Sequence, residues 1–262
     1  MNSPTSFLTI YVLVASVATV ITLLWGMRAA ISRAALPARE QRRSFRAGTT
    51  LLVGWFLAAL SLSWLGFFQG TPTRIPTVEF GLLLPIIAGV MFYWRSAVLT
   101  RIIAEAPQGL LVGVQLYRVL GIIFLVLFFG GAMPGVFAIP AGTGDFAVGL
   151  FAAPIALAYA RGLRGSTGLV RAWNLLGLTD LAVAVTTGFL SSPSPIQSLA
   201  VDNPNTLITA FPLVMIPAFL VPLAVLLHLA SLAKLGQTEA SSMSSARSSS
   251  VAIVEVRSLT GH

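Results

Sequence analysis

Residues 7–27 read FLTIYVLVASVATVITLLWGM, and Arg28, Arg33, Arg39, Arg42, Arg43 and Arg46 follow before the next apolar stretch opens at Thr49. About 20 apolar residues in a helix cover the hydrocarbon core of a bilayer. Lipid offers no partners to backbone N–H and C=O groups, so only helices and closed barrels cross it. The stretch is continuous rather than alternating, which predicts a helix. A cleaved signal peptide carries its basic residues ahead of the apolar run. Here Met1–Ser6 has no charged side chain and the basic residues come afterwards. The reading is a retained first span with its N-terminus outside.

Six further blocks of the same kind follow at residues 49–68, 80–98, 107–131, 145–160, 172–190 and 207–232. Residues 1–234 therefore read as an all-α, integral membrane bundle of seven transmembrane helices. The composition agrees: 56 % hydrophobic against 9 % charged residues, with a mean hydropathy of +0.89. Soluble domains carry about 25 % charge, so a soluble globular enzyme and a disordered chain are both excluded. The fourth block is the ambiguous one. Leu110–Ile139 would be a helix of roughly 45 Å, too long for one crossing. Gly130, Gly131 and Pro134 are natural break points, which predicts a helix over 107–131 and an irregular outer stretch through Gly144. Residues 235–262, rich in Ser and Ala, read as a disordered cytoplasmic tail.

Charge distribution sets the orientation. With the N-terminus outside and the C-terminus cytoplasmic, Arg74 alone of the 16 basic residues falls on the outer side. Cytoplasmic loops carry the excess of Lys and Arg, so the net charge of +8 reflects topology and contact with the lipid bilayer. It calls for no nucleic acid partner. The expected location is the inner (plasma) membrane.

Ionisable groups at membrane depth are costly and mark the informative positions. Gln115, Arg118, Asn174, Asp180 and His228 fall in the inner halves of their spans. Arg118 and Asp180 would lie at equal depth, roughly 12 Å from the inner boundary, and opposite charges so placed are expected to pair. Such a pair serves as a gate or coupling site, or else as a static pin of helix register. Gln115 shares the face of Arg118. Pro212, Pro217 and Pro222 interrupt the last span and would free the carbonyls of Ile208, Leu213 and Ala218, making a pliable helix. His228 and Trp173 read as interfacial residues near the inner surface.

Gly142-Thr143-Gly144-Asp145 resembles the motif of intramembrane aspartyl proteases. That chemistry needs two carboxyls sharing a proton. With Asp145 at the outer end of its helix, Asp180 would lie roughly 15 Å deeper, which argues against it. The alternative is an outer-facing ligand site of Thr143, Asp145 and Gln197. With no cysteine and only His228 and His262 as histidines, no metal-ligand set is read, and no cofactor motif.

Gln115-Leu-Tyr-Arg118-Val-Leu-Gly, Pro140-Ala-Gly-Thr-Gly-Asp145, Trp173-Asn-Leu-Leu-Gly177-Leu-Thr-Asp180 and Phe211-Pro-Leu-Val-Met-Ile-Pro217 together resemble an uncharacterised group of bacterial polytopic inner-membrane proteins. The resemblance covers the last four helices and implies no activity. The residues themselves point to a carrier or channel for an unknown small solute or ion, with or without proton coupling. A non-catalytic structural or regulatory subunit is the second reading, and an intramembrane enzyme the remote one.

Overall fold

Glycine and proline mark the helix ends. The protein is described here by a computed structural model covering residues 4–74 and 76–260, with side chains for 6–74 and 76–240. Helix α1 spans Pro4–Arg33, and α2 (Ala38–Trp64) starts directly after Pro37. Helix α3 is Val78–Arg95, and the short α4 is Ala97–Glu105, whose N-cap Ser96 accepts the Leu99 N–H at 3.2 Å. After Pro107 come α5 (Gln108–Gly113), a 3-10 segment (Val114–Gly121) and α6 (Ile122–Phe129), which join into one span. Gly131, at φ +70°, supplies the left-handed residue that reverses the chain. Helices α7 (Gly135–Ala160) and α8 (Ser166–Ser191) follow. A short 3-10 turn at Leu207–Thr209 and a π-helical turn at Ile216–Leu220 lead into α9 (Val221–Thr260).

Seven of these helical stretches are long and apolar enough to cross a membrane. Among the described residues the sole β pairing is an isolated bridge between Thr71 and Arg74. The distribution of side chains reverses that of a protein in water. Trp94 and Phe129 are 77 % and 82 % exposed, while Arg118 is 3 % exposed. An apolar exterior around a charged interior is what a hydrocarbon solvent selects.

The span Gln108–Phe129 packs along α7, which also packs on α8; α9 lies against α8, α3 and α5. Helices α2 and α3 are the least buried of the seven spans. Their connections gather at two opposite ends. At one end the Gly70 N–H donates to Thr209 Oγ1 at 3.1 Å. At the other, Arg101 Nη2 donates to the Ala35 carbonyl at 3.4 Å.

Three boundaries differ from the sequence reading. The irregular stretch is confined to residues 130–134, and α7 begins at Gly135 rather than Asp145. Gly130 and Gly131 end one helix, and Pro134 seats at the N-cap of the next. Gly142 and Gly144, which weaken a helix in water, lie on faces where Leu125 and Asp180 press close. Second, the three prolines do not break one long helix. Pro212 lies in the turn before the span and Pro217 in the first turn of the π segment, where a missing N–H costs little; Pro222 alone lies within continuous helix, directly after the π turn. Third, α9 does not stop near residue 234. Leu235 is buried, Gln237 Nε2 donates to Tyr93 Oη at 2.8 Å, and Arg171 pairs with Glu239 at 2.5 Å. The helix runs on to Thr260 where a disordered tail was expected; residues 237–260 contain neither glycine nor proline. Residues 261–262 of that expected tail, His262 included, lie outside the described residues.

A close backbone approach between α7 and the 3-10 segment predicts a mutational contrast. A Cβ at Gly149 would meet the backbone of Arg118 and Val119, whereas one at Gly168 meets nothing within 4 Å. Gly149→Ala is expected to cost about 1–3 kcal/mol and to lower the melting temperature of the detergent-solubilised protein. Gly168→Ala should leave it unchanged or raise it. Equal melting temperatures for the two variants would contradict the α7 packing.

Candidate functional site

The 3-10 stretch decides which side chains meet. In a 3-10 helix residues i and i+3 eclipse, so Gln115, Arg118 and Gly121 stack along one line, and all three are buried. Arg118 reaches three helices from there. Its Nε donates to Asp145 Oδ1 of α7 at 2.7 Å. Its Nη2 donates to Asp180 Oδ2 of α8 in a short ion pair. Its Nη1 lies 3.0 Å from His228 Nε2 of α9.

The network continues from the histidine, and its polarity follows from chemistry. A guanidinium has donors and no acceptor, so His228 Nε2 accepts and Nδ1 carries the proton. Nδ1 then donates to Asn174 Oδ1 at 2.8 Å. Asn174 Nδ2 donates to Ser231 Oγ and to the Val170 carbonyl, each at 2.8 Å. Gln108 Nε2 donates to the same Ser231 hydroxyl at 2.5 Å. One chain of hydrogen bonds thus links α5, the 3-10 stretch, α7, α8 and α9. Gln115 joins by geometry rather than by contact with Arg118: its Nε2 donates to the Ala224 carbonyl at 3.0 Å, and its Oε1 is buried without a partner.

Small residues make this approach possible. A Cβ at Gly144 would overlap Asp180 Oδ1, one at Gly121 would overlap the Asp145 Cβ, and one at Gly177 would overlap the His228 ring. The Gly-x-Gly-Asp sequence is therefore a packing device that brings α8 against α7.

Asp145 and Asp180 meet on one guanidinium, so the depth separation expected of them is corrected: α7 starts ten residues earlier, which places Asp145 in mid-helix. Their proximity restores the geometric condition for a protease, but the chemistry differs. An aspartyl dyad shares one proton between facing carboxyls. Here each carboxylate instead accepts from the Arg118 guanidinium, and that cation occupies oxygens a dyad would turn on a substrate.

The outer ligand site of Thr143, Asp145 and Gln197 is not assembled. Thr143 Oγ1 donates to the Ile139 carbonyl at 2.7 Å, Gln197 Nε2 donates to Leu199 and Ala200 carbonyls, and Asp145 belongs to the Arg118 cluster. His228 is not interfacial but fully buried, with its ring 4.9 Å from that of Trp173. Trp173 is equally inward, donating from Nε1 to the Val148 carbonyl at 3.1 Å. Of the three carbonyls expected to be freed by prolines, that of Leu213 accepts the Ile216 N–H at 2.9 Å. Gln108 and Ser231 were missed. Their signal was spacing: Gln108 precedes Gln115 by seven residues, and Ser231 follows His228 by three.

Two cavities flank Asp145. One, of about 40 Å³, is lined by Tyr11, Tyr117, Arg118 and Asp145. The other, of about 50 Å³, runs from Asp145 to Glu79, Ser192 and Thr209. Phe124, Leu181, Ile216 and Val221 wall both. Each has room for a few water molecules.

The stoichiometry of one guanidinium to two carboxylates predicts unequal variants. Arg118→Gln leaves two buried anions facing each other and should cost about 3–5 kcal/mol. Asp145→Asn or Asp180→Asn leaves a matched ion pair and a neutral acceptor, at a cost on the order of 1–2 kcal/mol. The triple change Arg118→Gln/Asp145→Asn/Asp180→Asn should recover part of the loss. Thermal unfolding in detergent reads this ranking, and an Asp145→Asn variant as damaged as Arg118→Gln would refute it.

No curated protein and no solved structure matches this chain. Residues 75–236, more than half of the chain, match the family described as "Domain of unknown function (DUF8737)". That stretch holds α3 through the packed part of α9 and every member of the Arg118 network, and the chain belongs to this family.

Proposed function

We propose that this chain is a multi-pass protein of the bacterial inner (plasma) membrane, N-terminus outside and C-terminus cytoplasmic, that acts as a carrier or channel for a small solute or ion with proton coupling. One observation carries the reading. Three ionisable side chains, two acids and one base, meet at mid-span; Arg118 and Asp145 line one cavity, and Asp145 lines a second. A pin of helix register needs one ion pair and no water. A site that takes up and releases a cation needs spare negative charge and access. The cavities admit water-sized species, which favours an ion over an organic solute.

Orientation rests on the arginines. Arg39, Arg42, Arg43 and Arg46 form one exposed face in the first turns of α2, as expected of a segment at an anionic cytoplasmic leaflet. The absence of cysteine from the chain makes single introduced cysteines clean reporters. On intact cells an impermeant maleimide should label Thr73→Cys and spare Glu40→Cys, which reacts only after permeabilisation. The reverse pattern would overturn the orientation.

For transport, the purified protein in liposomes is placed under a potassium diffusion potential with a pH-sensitive dye inside. Ion-driven or proton-driven flux above that of empty vesicles is expected, and Asp145→Asn should lower it by at least about tenfold while remaining folded. A folded protein without flux across protons, alkali cations and small anions would give way to the second reading, a structural or regulatory subunit. The broad apolar faces of α2 and α3, the least buried spans, favour that alternative, since a partner helix in the membrane would cover them.

A further inference from the structure

Glu79 is an acidic group at the start of a span that the Arg118 network does not use. It sits in the first turn of α3, and its Oε2 is buried with no hydrogen-bond partner. Among the described residues no arginine or lysine forms an ion pair with it. Buried polar atoms are nearly always paired, and an unpartnered carboxylate oxygen is among the most costly to leave so. Its surroundings answer the question of what meets it. Glu79 lines the cavity of about 50 Å³ whose other end is Asp145, with Ser192 and Thr209 as further polar wall residues. Both of those lie at the end of the bundle where α3 begins, beside the loop contact of Gly70 with Thr209. Asp145 lies ten residues into α7, about 15 Å from that end. A carboxyl group near the surface, a cavity with room for water and a second carboxyl at mid-span have the arrangement of a relay that carries protons into membrane proteins.

We propose that Glu79 is the proton intake of this protein, exchanging protons with Asp145 through water held in the cavity between them. The inference rests on the ion-carrier reading and names its coupling ion. The balance is simple. The Glu79 carboxylic acid gives its proton to water in the cavity, and a water at the far end protonates Asp145. Glu79 becomes an anion at the mouth, Asp145 becomes neutral, and Arg118 is left in a one-to-one pair with Asp180. The charged and titratable groups around the receiving end are Arg118 and Asp180 from the 3-10 stretch and α8, and His228 from α9 through Arg118. Tyr117 and Tyr11 face it across the second cavity. On the intake side the cavity holds Glu79 itself as its one further titratable group.

The test uses the full chain in liposomes, with proton entry under an imposed potential read by an internal dye. Glu79→Gln should slow entry by at least about tenfold, and Glu79→Asp should retain most of it. Both should melt close to the wild type, because among the described residues no basic side chain pairs with Glu79. Proton entry in Glu79→Gln at the wild-type rate, with Asp145→Asn inactive, would overturn the intake role and leave the carrier reading standing. Wild-type liposomes as tight as empty ones would remove both. A second readout needs no flux. Dicyclohexylcarbodiimide reacts with protonated carboxyls in apolar surroundings, and peptide mass spectrometry of the treated, folded protein should find its adduct on Glu79. A Glu79 that stays unmodified at every pH where the protein is folded would overturn the proposal.

Discussion

The Arg118 guanidinium sets the terms for everything around it. It offers five N–H donors, accepts nothing and stays charged. Surrounded by helices whose outer faces are hydrocarbon, it has no water shell to fall back on, and the bundle must supply anions and acceptors at fixed positions. Asp145, Asp180 and His228 do so from three helices. Each contact dictates another. Because Arg118 only donates, His228 must accept; because His228 then donates, Asn174 must turn its carbonyl oxygen inward and its amide toward Ser231. One residue thereby orients a polar chain that reaches Gln108 at the start of α5.

Backbone structure is bent to the same demand. An uninterrupted α-helix from Gln108 to Phe129 would place Gln115, Arg118 and Gly121 at different azimuths. The tighter 3-10 winding of Val114–Gly121 aligns them. Charged side chains can meet directly only if the helices carrying them nearly touch, and glycines at 121, 144, 149 and 177 let them. The polar network and the glycine pattern are two halves of one arrangement: small residues admit the neighbours that the charges require.

Much of this was legible in the chain, and the gaps have physical causes. Hydropathy located seven spans because lipid imposes one length on every crossing. The polar residues of the core stood out because a charge in an apolar block is rare enough to be noticed, and Arg118 with Asp180 could be matched by depth. Asp145 was misplaced by a local rule. Glycine and proline between 130 and 144 read as an unwound stretch under water-based propensities, whereas packing against Leu125 and Asp180 keeps residues 135–144 helical. The same rule turned Pro212, Pro217 and Pro222 into breaks of a long helix, when Pro212 and Pro217 occupy a turn and a first-turn position and Pro222 alone lies within continuous helix after a π turn. Gln108 and Ser231 carry no charge and are common in membrane helices, so their place in the network depends on which faces meet, and that is a property of three dimensions. Glu79 was passed over because a helix start is where an acid is expected. Its unpartnered oxygen is visible only with the neighbouring helices in place.

The count of charges gives the cluster its direction. Helix registration alone would be served by Arg118 with a single aspartate, and a second carboxylate held on the same guanidinium adds repulsion and desolvation for no gain in specificity. His228 cannot offset the excess, since accepting from Arg118 keeps its ring neutral. On the proposed reading the surplus negative charge is met by a proton, and both cavities beside Asp145 have room for a few waters to bring it. A proton on either aspartate would leave a matched pair with Arg118 and a neutral acid, so that two arrangements of nearly equal charge balance become accessible to the same side chains. That degeneracy, built from one arginine and two acids on separate helices, is the property a coupling site needs and a static pin lacks.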